Sequence, residues 1–420
     1  MLDRRGFLKA GGIAAAAVLA VPALAQSRRV TVMTSYPQEM ISRYVDAFTR
    51  AYPGTAVDMV WHSGRDARDY LLGEGRDRID VYWSPNVPSF IELAAKDKFR
   101  KLDVDRAGLP DRIGRQRISD PDGYYLASEI AGYGFILNPA YLKRANLPAP
   151  NEWADLADPV YAGHIVMPVP SQIGFAPTVT EILLQSQGWD AGWSLLARIA
   201  GNAELKAGRG DTFFTTVADG EKGIGITIDF FASQAIARGA PLDFVYPHAN
   251  AFEPANIAIP VGAPSPDAAR DFVTFVLSDA GQRLLIDPDL RRLAIRPSAY
   301  RDLPAGYFNP WTSSFAEGLT FDNPLFARRR DLDNALFDAL IYKPRDRLAP
   351  LWAAQRKAPS AKLAGLLGAV PLTESAALQL ADSFTARQRD PDAAARAGAA
   401  ETDWTARIGA DLSAAEALLK

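Results

Sequence analysis

The chain has 420 residues, is 48% hydrophobic and 23% charged, and carries a formal net charge of -3. This composition is typical of a globular protein with two or three domains and lacks the basic excess that marks most nucleic-acid-binding proteins. The chain contains no cysteine, which excludes disulfides, thiolate metal sites and cysteine nucleophiles.

The N-terminal residues have the pattern of an export signal. Arg4 and Arg5 precede an apolar stretch that ends in Ala23-Leu24-Ala25, a typical cleavage motif. The stretch is shorter than the roughly 20 residues that a helix needs to span a bilayer, which disfavours the alternative of a membrane anchor. We therefore predict a twin-arginine signal peptide over residues 1–25 and a mature protein that is free in the periplasm.

Strands and helices are predicted to alternate from residue 29 onward. The segments RVTVMTSY, TAVDMVWHSGRD and IDVYWSPN have the pattern of strands that end in small polar residues, and helical spacing follows the first two. Ligands of α/β sheets bind beyond the carboxyl ends of the strands. The candidate ligand contacts at these ends are Ser35, Tyr36, Ser63, Arg65 and Ser84. The hydroxyls are potential donors, Tyr36 is a potential apolar wall, and Arg65 is a potential anion-binding group.

A second series of elements covers residues 131–253. The turn from Ser171 to Gly174 precedes a predicted helix, whose free N–H groups and dipole favour an anion; the alternative is that Ser171 merely caps this helix. The segment GRGDTFFTTV is predicted to be a turn that presents Arg209 and Thr212. For Arg65 and Arg209 alike, the alternative is an ordinary solvent-exposed arginine.

The segment GIGITIDFFASQ is predicted to be a strand that ends at Asp229 and leads into a helix. Asp229 is a candidate partner for a ligand hydroxyl or amine, or for an arginine, with helix capping as the alternative. Further along, DAARDFVTFVLSDAGQRLL is predicted to form one amphipathic helix. From residue 303 the pattern is helical throughout, and the last 30 or so residues are either packed on the α/β body or partly mobile.

The order of these elements resembles that of the periplasmic solute-binding proteins of ABC importers, in the branch that contains the ferric-ion-binding proteins. The resemblance is carried by VTVMTSYPQE, IDVYWSPN, SQIGFAPTV, GEKGIGITIDFFASQAIARGAPLDFVYP and FVTFVLSDAGQRLL. The segment LTFDNPLFARRRDLDNALFDALI is similar to the C-terminal extension of the sub-branch that includes the phosphoglycerate-transport regulatory protein. The resemblance implies an α/β type II periplasmic-binding-protein fold, in which two lobes close on a ligand, with a C-terminal helical extension.

The resemblance also places domain limits on the chain. Lobe 1 is predicted to comprise residues 26–130 and 254–302, lobe 2 to comprise residues 131–253, and the extension to comprise residues 303–420.

Ferric-ion binders of this branch bind iron through two adjacent tyrosines, and the positions that match them here are Phe230 and Phe231. A phenyl ring has no oxygen, whereas a hard trivalent cation needs anionic oxygen ligands. The only adjacent tyrosines, Tyr124 and Tyr125, lie on a predicted crossover strand that points them to opposite faces. We therefore predict a small organic anion as the ligand and no cofactor. The resemblance to the sub-branch favours a phosphorylated or phosphonate-type metabolite, with a carboxylate ligand as the next choice. Ferric iron remains the alternative.

The sequence also bears on two other functional classes. A periplasmic hydrolase needs a nucleophile with a base or a metal site, but His62, His164 and His248 are far apart in sequence and no catalytic motif is present. A periplasmic sensor would use the same fold as a transport protein, so the sequence does not separate the two. We predict no catalytic residues, and we predict a monomer whose partners are its ligand and an ABC permease in the inner membrane.

Overall fold

A computed structural model describes residues 28–73, 78–208, 212–303, 307–311 and 321–420, with Arg65 described by its backbone alone. The predicted signal peptide and Arg209 lie outside these residues. No helix within the described ranges is both long enough and apolar enough to cross a membrane.

Lobe 1 begins with a parallel sheet in which β1 lies between β2 and β3. The helix α1 covers this sheet and buries Met40, Tyr44 and Phe48, which recur at the spacing of one helix face. The elements of this part are β1 (Arg28–Thr34), α1 (Gln38–Ala51), β2 (Thr55–Trp61), α2 (Gly64–Leu72), β3 (Val81–Ser84), α3 (Val87–Ala95), β4 (Phe99–Arg100), β5 (Arg112–Ile113) and β6 (Gln116–Arg117).

The strand β7 (Leu126–Leu137) connects the two lobes. All twelve of its residues are buried, since it lies inside the sheets of both lobes. Its first half pairs with β12 of lobe 1, and its second half pairs with β10 of lobe 2. The sheet of lobe 2 is formed by β10, β8 and β9, which run parallel, with β11 on the other side of β7. The elements of lobe 2 are α4 (Pro139–Ala145), β8 (Ile165–Pro168), α5 (Ala176–Gln187), α6 (Trp189–Asn202), β9 (Ala203–Lys206), α7 (Thr212–Ala218), β10 (Ile224–Ile228), α8 (Asp229–Ala237) and β11 (Asp243–Val245).

Residues 246–251 form the second connection and lead back to lobe 1. The returning elements are β12 (Phe252–Pro260), α9 (Pro266–Leu277), α10 (Asp279–Ile286) and β13 (Leu293–Ala294). The prediction of one helix over α9 and α10 was wrong, because the chain breaks at Ser278, whose side chain caps α10 by accepting from the Gly281 N–H. The break brings the Phe275 carbonyl so close to Gly281 that a Cβ there would lie 2.1 Å from its oxygen, so only glycine fits.

The extension consists of helices and packs against lobe 2. One apolar cluster runs from lobe 2 residues such as Leu183 and Trp193 to extension residues such as Leu336 and Trp404. Lobe 1 has a separate cluster around Trp83, Phe272 and its neighbours. The helices of the extension are α11 (Asn323–Phe337), α12 (Arg345–Lys357), α13 (Ala361–Gly368), α14 (Glu374–Ala386) and α15 (Pro391–Ala417), and a single π-helical turn, Asp338–Tyr342, follows α11.

Two further predictions of local structure were wrong. The segment around Thr212 is the helix α7 rather than a turn, because Phe213 and Val217, four residues apart, are both buried on one face. Tyr124 and Tyr125 precede β7 and do not belong to it; both rings are partly buried and pack against the cluster of Met33, Tyr82 and Phe90.

Candidate functional site

The carboxyl ends of β1 and β3 bring two of the predicted ligand contacts together. The hydroxyl oxygens of Ser35 and Ser84 are 2.9 Å apart, as expected for residues that follow neighbouring parallel strands. Asn256 of β12 is the register partner of Ser84, and its side-chain oxygen is buried with no hydrogen-bond partner among the described residues. Ser84 and Asn256 are fully buried, so this polar cluster lies beneath the carboxyl ends of the strands, and the predicted contacts of Ser35 and Ser84 with a ligand stay predictions.

Arg292 is the central cation of this region, and the sequence analysis did not identify it. Its side chain is 10% exposed and its Nη1 donates to Glu129 Oε1 at 2.7 Å. The guanidinium carbon lies 4.3 Å from the centre of the Phe230 ring of lobe 2 and 5.3 Å from that of Tyr36 of lobe 1. Arg292 therefore joins the two lobes through its contacts. It follows α10 without a local motif, so no sequence signal distinguished it from the other arginines.

The buried groups around Arg292 have altered pKa values. Burial raises the pKa of the Glu129 carboxyl, and Arg292 opposes this rise. Burial would lower the pKa of Arg292, but Glu129 and Tyr36 raise it above its ordinary value, so the guanidinium stays charged. Burial, with Glu129, holds the pKa of the Tyr36 phenol well above its ordinary value. Tyr36 is therefore a neutral hydrogen-bond donor, and within the described part of the chain its hydroxyl has no partner.

Phe230 and Phe231 form an apolar wall on lobe 2. The rings of Phe230 and Phe231 are 4.6 Å apart, and Phe231 lies 6.1 Å from Phe175. With Arg292 they line a cavity of about 750 Å³ between α1 and α8, which we call the α1–α8 cavity. The Phe230 ring stacks on the guanidinium of Arg292, so the cation next to Phe230 is a side chain of the protein.

Asp229 lies between the two connections of the lobes. Its Oδ2 accepts from the Gly132 N–H of β7 at 2.8 Å and from the Tyr246 hydroxyl of the second connection at 3.1 Å. Burial raises the pKa of this carboxyl to about 7, although both hydrogen bonds and Arg292 lower it. The structure thus gives Asp229 protein partners at the hinge, and its predicted contact with a ligand stays a prediction.

The remaining residues predicted on lobe 1 lie at the start of α2. The Ser63 hydroxyl donates to the Asp66 carboxylate in the first turn of that helix. The backbone of Arg65 is helical, and its side chain lies outside the description. The Asn86 side chain packs directly on Gly64, where a Cβ would lie 1.7 Å from its nitrogen. Ser63 is thus in contact with its own helix rather than with the pair of Ser35 and Ser84.

The residues predicted on lobe 2 are spread over two elements. The Ser171 hydroxyl donates to Asp338 of the extension at 2.8 Å, and Gly174 is exposed, with no atom within 4 Å of a Cβ built on it. The helix that follows begins at Ala176 without a side-chain cap. Thr212 is the first residue of α7, beside the undescribed residues 209–211. The structure therefore does not bring all the predicted contacts to one point, and their roles in binding remain predictions.

The three histidines lie in separate places. His62 packs near Tyr70, His164 is 2.9 Å from the Tyr141 hydroxyl, and His248 is 3.4 Å from Glu152. In the described parts of the chain, no group of three or more His, Asp and Glu side chains is placed to hold a metal ion.

Comparisons with known proteins agree with this architecture. The family of bacterial extracellular solute-binding proteins matches residues 79–298. The phosphoglycerate transport regulatory protein PgtC of Salmonella typhimurium is 28% identical over 359 residues, which cover 83% of this chain and 87% of that protein.

Two solved structures show the same fold. The periplasmic binding protein AfuA from Actinobacillus pleuropneumoniae, with fructose-6-phosphate bound, has a TM-score of 0.57 at 19% identity and covers 79% of this chain and 99% of its own. Iron-bound HitA from Pseudomonas aeruginosa has a TM-score of 0.58 at 17% identity and covers 73% of this chain and 99% of its own. The predicted two-lobed type II fold with a C-terminal helical extension is confirmed.

Proposed function

Because the chain belongs to the bacterial extracellular solute-binding proteins, we propose that it binds a small phosphorylated organic anion between its lobes and delivers it to an ABC importer. Proteins of this family deliver their ligands to ABC permeases. The N-terminal pattern supports export by the twin-arginine route to the periplasm, where the protein acts as a monomer. No chemical step on the ligand is part of this proposal.

The position of Arg292 is the observation that carries the proposal. Among the described residues, the Arg292 side chain donates one hydrogen bond, from Nη1 to Glu129. Arg292 also lines the α1–α8 cavity. The remaining N–H groups of a guanidinium suit the paired oxygens of a phosphate or a carboxylate. A cavity of about 750 Å³ is within the usual size of a small-molecule site.

Binding energies favour a ligand that contacts both lobes. A micromolar ligand needs about 8 kcal/mol, and one charge-assisted hydrogen bond contributes about 1.5–3 kcal/mol. Several donors must therefore meet on one molecule, and such donors are available only when the lobes close. The names of two similar proteins, which include phosphoglycerate and fructose-6-phosphate, support a phosphorylated ligand.

Ferric iron is the second candidate, because iron-bound HitA is similar in fold. Against it, burial raises the pKa values of Tyr36, Tyr133 and Tyr246 well above the ordinary value, so forming a phenolate at these positions is costly. Sensing of the ligand for a membrane receptor is a further alternative, and the name of PgtC, a transport regulatory protein, favours it.

A thermal-shift screen of the mature protein tests the proposal. The ligands are phosphoglycerate, fructose 6-phosphate, phosphonates, organic acids and ferric citrate. At a thousandfold excess over Kd, a ligand stabilises the folded state by about 4 kcal/mol, which shifts the melting temperature clearly. Stabilisation by a phosphorylated anion supports the proposal; stabilisation by ferric citrate alone, with a visible phenolate-to-iron absorption band, would replace it with the iron function.

Calorimetry on single variants then locates the site. We expect Arg292→Gln to weaken binding of the stabilising anion at least tenfold, since about 1.4 kcal/mol corresponds to a factor of ten. Arg270→Gln, on the exposed face of α9, is the matched control and should leave the affinity unchanged. Arg65→Ala and Arg209→Ala test the two arginines predicted from the sequence in the same way. Equal affinity for the wild-type protein and the Arg292 variant would exclude Arg292 as the anion-binding residue.

A further inference from the structure

A second space between the lobes lies between α3 and the extension. This α3–α11 groove has a volume of about 630 Å³ and is lined by α2 and α3 of lobe 1, by Ser171 of lobe 2, and by α11 and its neighbours. The helix α11 packs on α5 of lobe 2 and also contacts α3 of lobe 1. Asn323, its first residue, donates to the Arg117 carbonyl of lobe 1 at 3.1 Å. The extension therefore forms a third wall of the cleft.

Arg330 of α11 lines this groove with its side chain 32% exposed. Within the described residues its ion pair is with the adjacent Asp331, from Nε to Oδ1 at 3.5 Å, which is longer than a strong ion pair. Burial raises the pKa of the Glu253 carboxyl at the start of β12, and the hydrogen bonds from Tyr133 and Thr178 and the charge of Arg330 oppose this rise. Glu253 in turn accepts hydrogen bonds from Thr178 of lobe 2 and from Tyr133 of β7.

The charges around Arg330 favour an anion. The basic residues that line the groove are Arg68, Arg328, Arg330, Lys343, Arg387 and Arg389, and the acidic ones are Glu92, Asp331, Asp338 and Glu401. Arg68 and Arg387 are held by Glu92 and Glu401, respectively. Lys343 and Arg389 form no salt bridge with any other residue in the described ranges. An excess of positive charge therefore remains.

A buried polar atom without a partner among the described residues accompanies this charge. The side-chain oxygen of Asn334, one turn after Arg330, is buried and accepts no hydrogen bond from the described residues. Buried polar atoms are normally satisfied, so such an atom in a groove wall fits a ligand that carries a donor such as a hydroxyl. Ser89 and Ser171 line the same space, and their hydroxyls donate to the Gly64 carbonyl and to Asp338, respectively.

We infer that the α3–α11 groove binds an anionic group of the ligand and that Arg330 is a ligand-binding residue supplied by the extension. This inference rests on the proposed function. With the phosphate of the ligand at Arg292, the inference assigns a second anionic group, such as a carboxylate, to Arg330, with a hydroxyl between the two groups. Binding of such a ligand connects the extension directly to lobe 1.

The test compares two probes by calorimetry on the wild-type mature protein and on Arg330→Gln. Phosphoglycerate carries a phosphate and a carboxylate, whereas glycerol phosphate carries the phosphate alone. We expect Arg330→Gln to weaken phosphoglycerate binding at least tenfold and to change glycerol phosphate binding less than twofold. Arg330→Lys should restore part of the loss, because the charge is kept. Arg345→Gln, an exposed arginine of α12 outside the groove, is the control and should change neither affinity.

The outcomes of this test distinguish the inference about Arg330 from the proposed function. If the wild-type protein binds phosphoglycerate and Arg330→Gln binds it equally well, the inference is wrong and the proposed function stands. If Arg330→Gln weakens both probes equally, Arg330 does not distinguish the second anionic group and the inference is again wrong. If the wild-type protein binds neither probe, both claims fail. Equal melting temperatures of the variants confirm that affinity, and not folding, has been measured.

Discussion

The junction between lobe 2 and the extension buries different groups from the junction between the two lobes. The first contains a continuous apolar cluster and the buried Arg329 of α11, which contacts Glu181 of α5 at 2.9 Å. The second contains two chain connections and polar contacts such as those of Arg292 and Asp229. Packed cores do not deform continuously, whereas a few hinge residues can absorb large backbone changes. From this difference we infer that the extension moves with lobe 2, and we expect the lobes to close by a motion of this unit against lobe 1.

Substitution of Trp404, in the last helix, should have the largest effect on the junction between lobe 2 and the extension. Its side chain is buried and its ring stacks on Phe384 with the centres 5.3 Å apart. We expect Trp404→Ala to lower the free energy of unfolding by about 3–5 kcal/mol, measured by urea denaturation. Trp61→Ala is the control, since Trp61 is 62% exposed, and should cost less than about 0.5 kcal/mol. Equal small losses would mean that α15 adds no stability to the core.

Arg329 tests the polar part of the same junction. It contacts Glu181, Asp333 and Glu374, and its own side chain is 1% exposed. Removing one partner of a buried ion pair leaves uncompensated charge, so we expect Arg329→Gln to cost about 3 kcal/mol. The neighbouring Arg328 is half exposed, and Arg328→Gln should cost less than about 0.5 kcal/mol. A loss below about 1 kcal/mol for the Arg329 variant would show that the ion pairs do not hold the extension.

Asp229 tests the junction between the lobes, and its expected effect per pH unit is the smallest of the three. Burial raises the pKa of the Asp229 carboxyl from its ordinary value of 3.8 to about 7 in the folded protein. The folded state binds the proton more tightly, so the stability that Asp229 contributes is fully present below pH 3.8 and is lost as the pH rises towards about 7. Asparagine has no such dependence. We expect the stability of the wild-type protein relative to Asp229→Asn to fall by up to about 1 kcal/mol per pH unit in this window.

Thermal unfolding of both proteins across that window measures the effect. The difference between their stabilities should level off above about pH 7. A difference that stays constant with pH would mean that Asp229 is ionised throughout, and that the hinge has more solvent access than the structure shows.

The sequence predicted the architecture well because the fold follows from local patterns. The alternation of strands and helices, and the rule that parallel strands end at one edge, placed Ser35 beside Ser84 correctly. The break between α9 and α10 was missed because the apolar spacing continues across Ser278, and a single side-chain cap decides the geometry.

The charged residues of the cleft were harder to predict. Arg328, Arg329 and Arg330 are adjacent in sequence but differ in burial, since each residue of a helix is rotated by about 100° from the last. The burial of Arg329 could be predicted from its spacing in the sequence, because it shares a helix face with Phe326 and Leu332. Arg292 had no such signal, as its partners come from Glu129 and Phe230, which are distant in the chain.

Distances between pairs of spin labels test the central claim most directly, and the absence of native cysteine allows labels at chosen sites alone. Suitable exposed positions are Asp267→Cys in lobe 1, Glu221→Cys in lobe 2 and Asp346→Cys in the extension. On adding saturating phosphoglycerate, we predict that both distances from lobe 1 change and that the distance from lobe 2 to the extension stays constant. A ligand-dependent change between lobe 2 and the extension, with the distance between the lobes unchanged, would contradict the account.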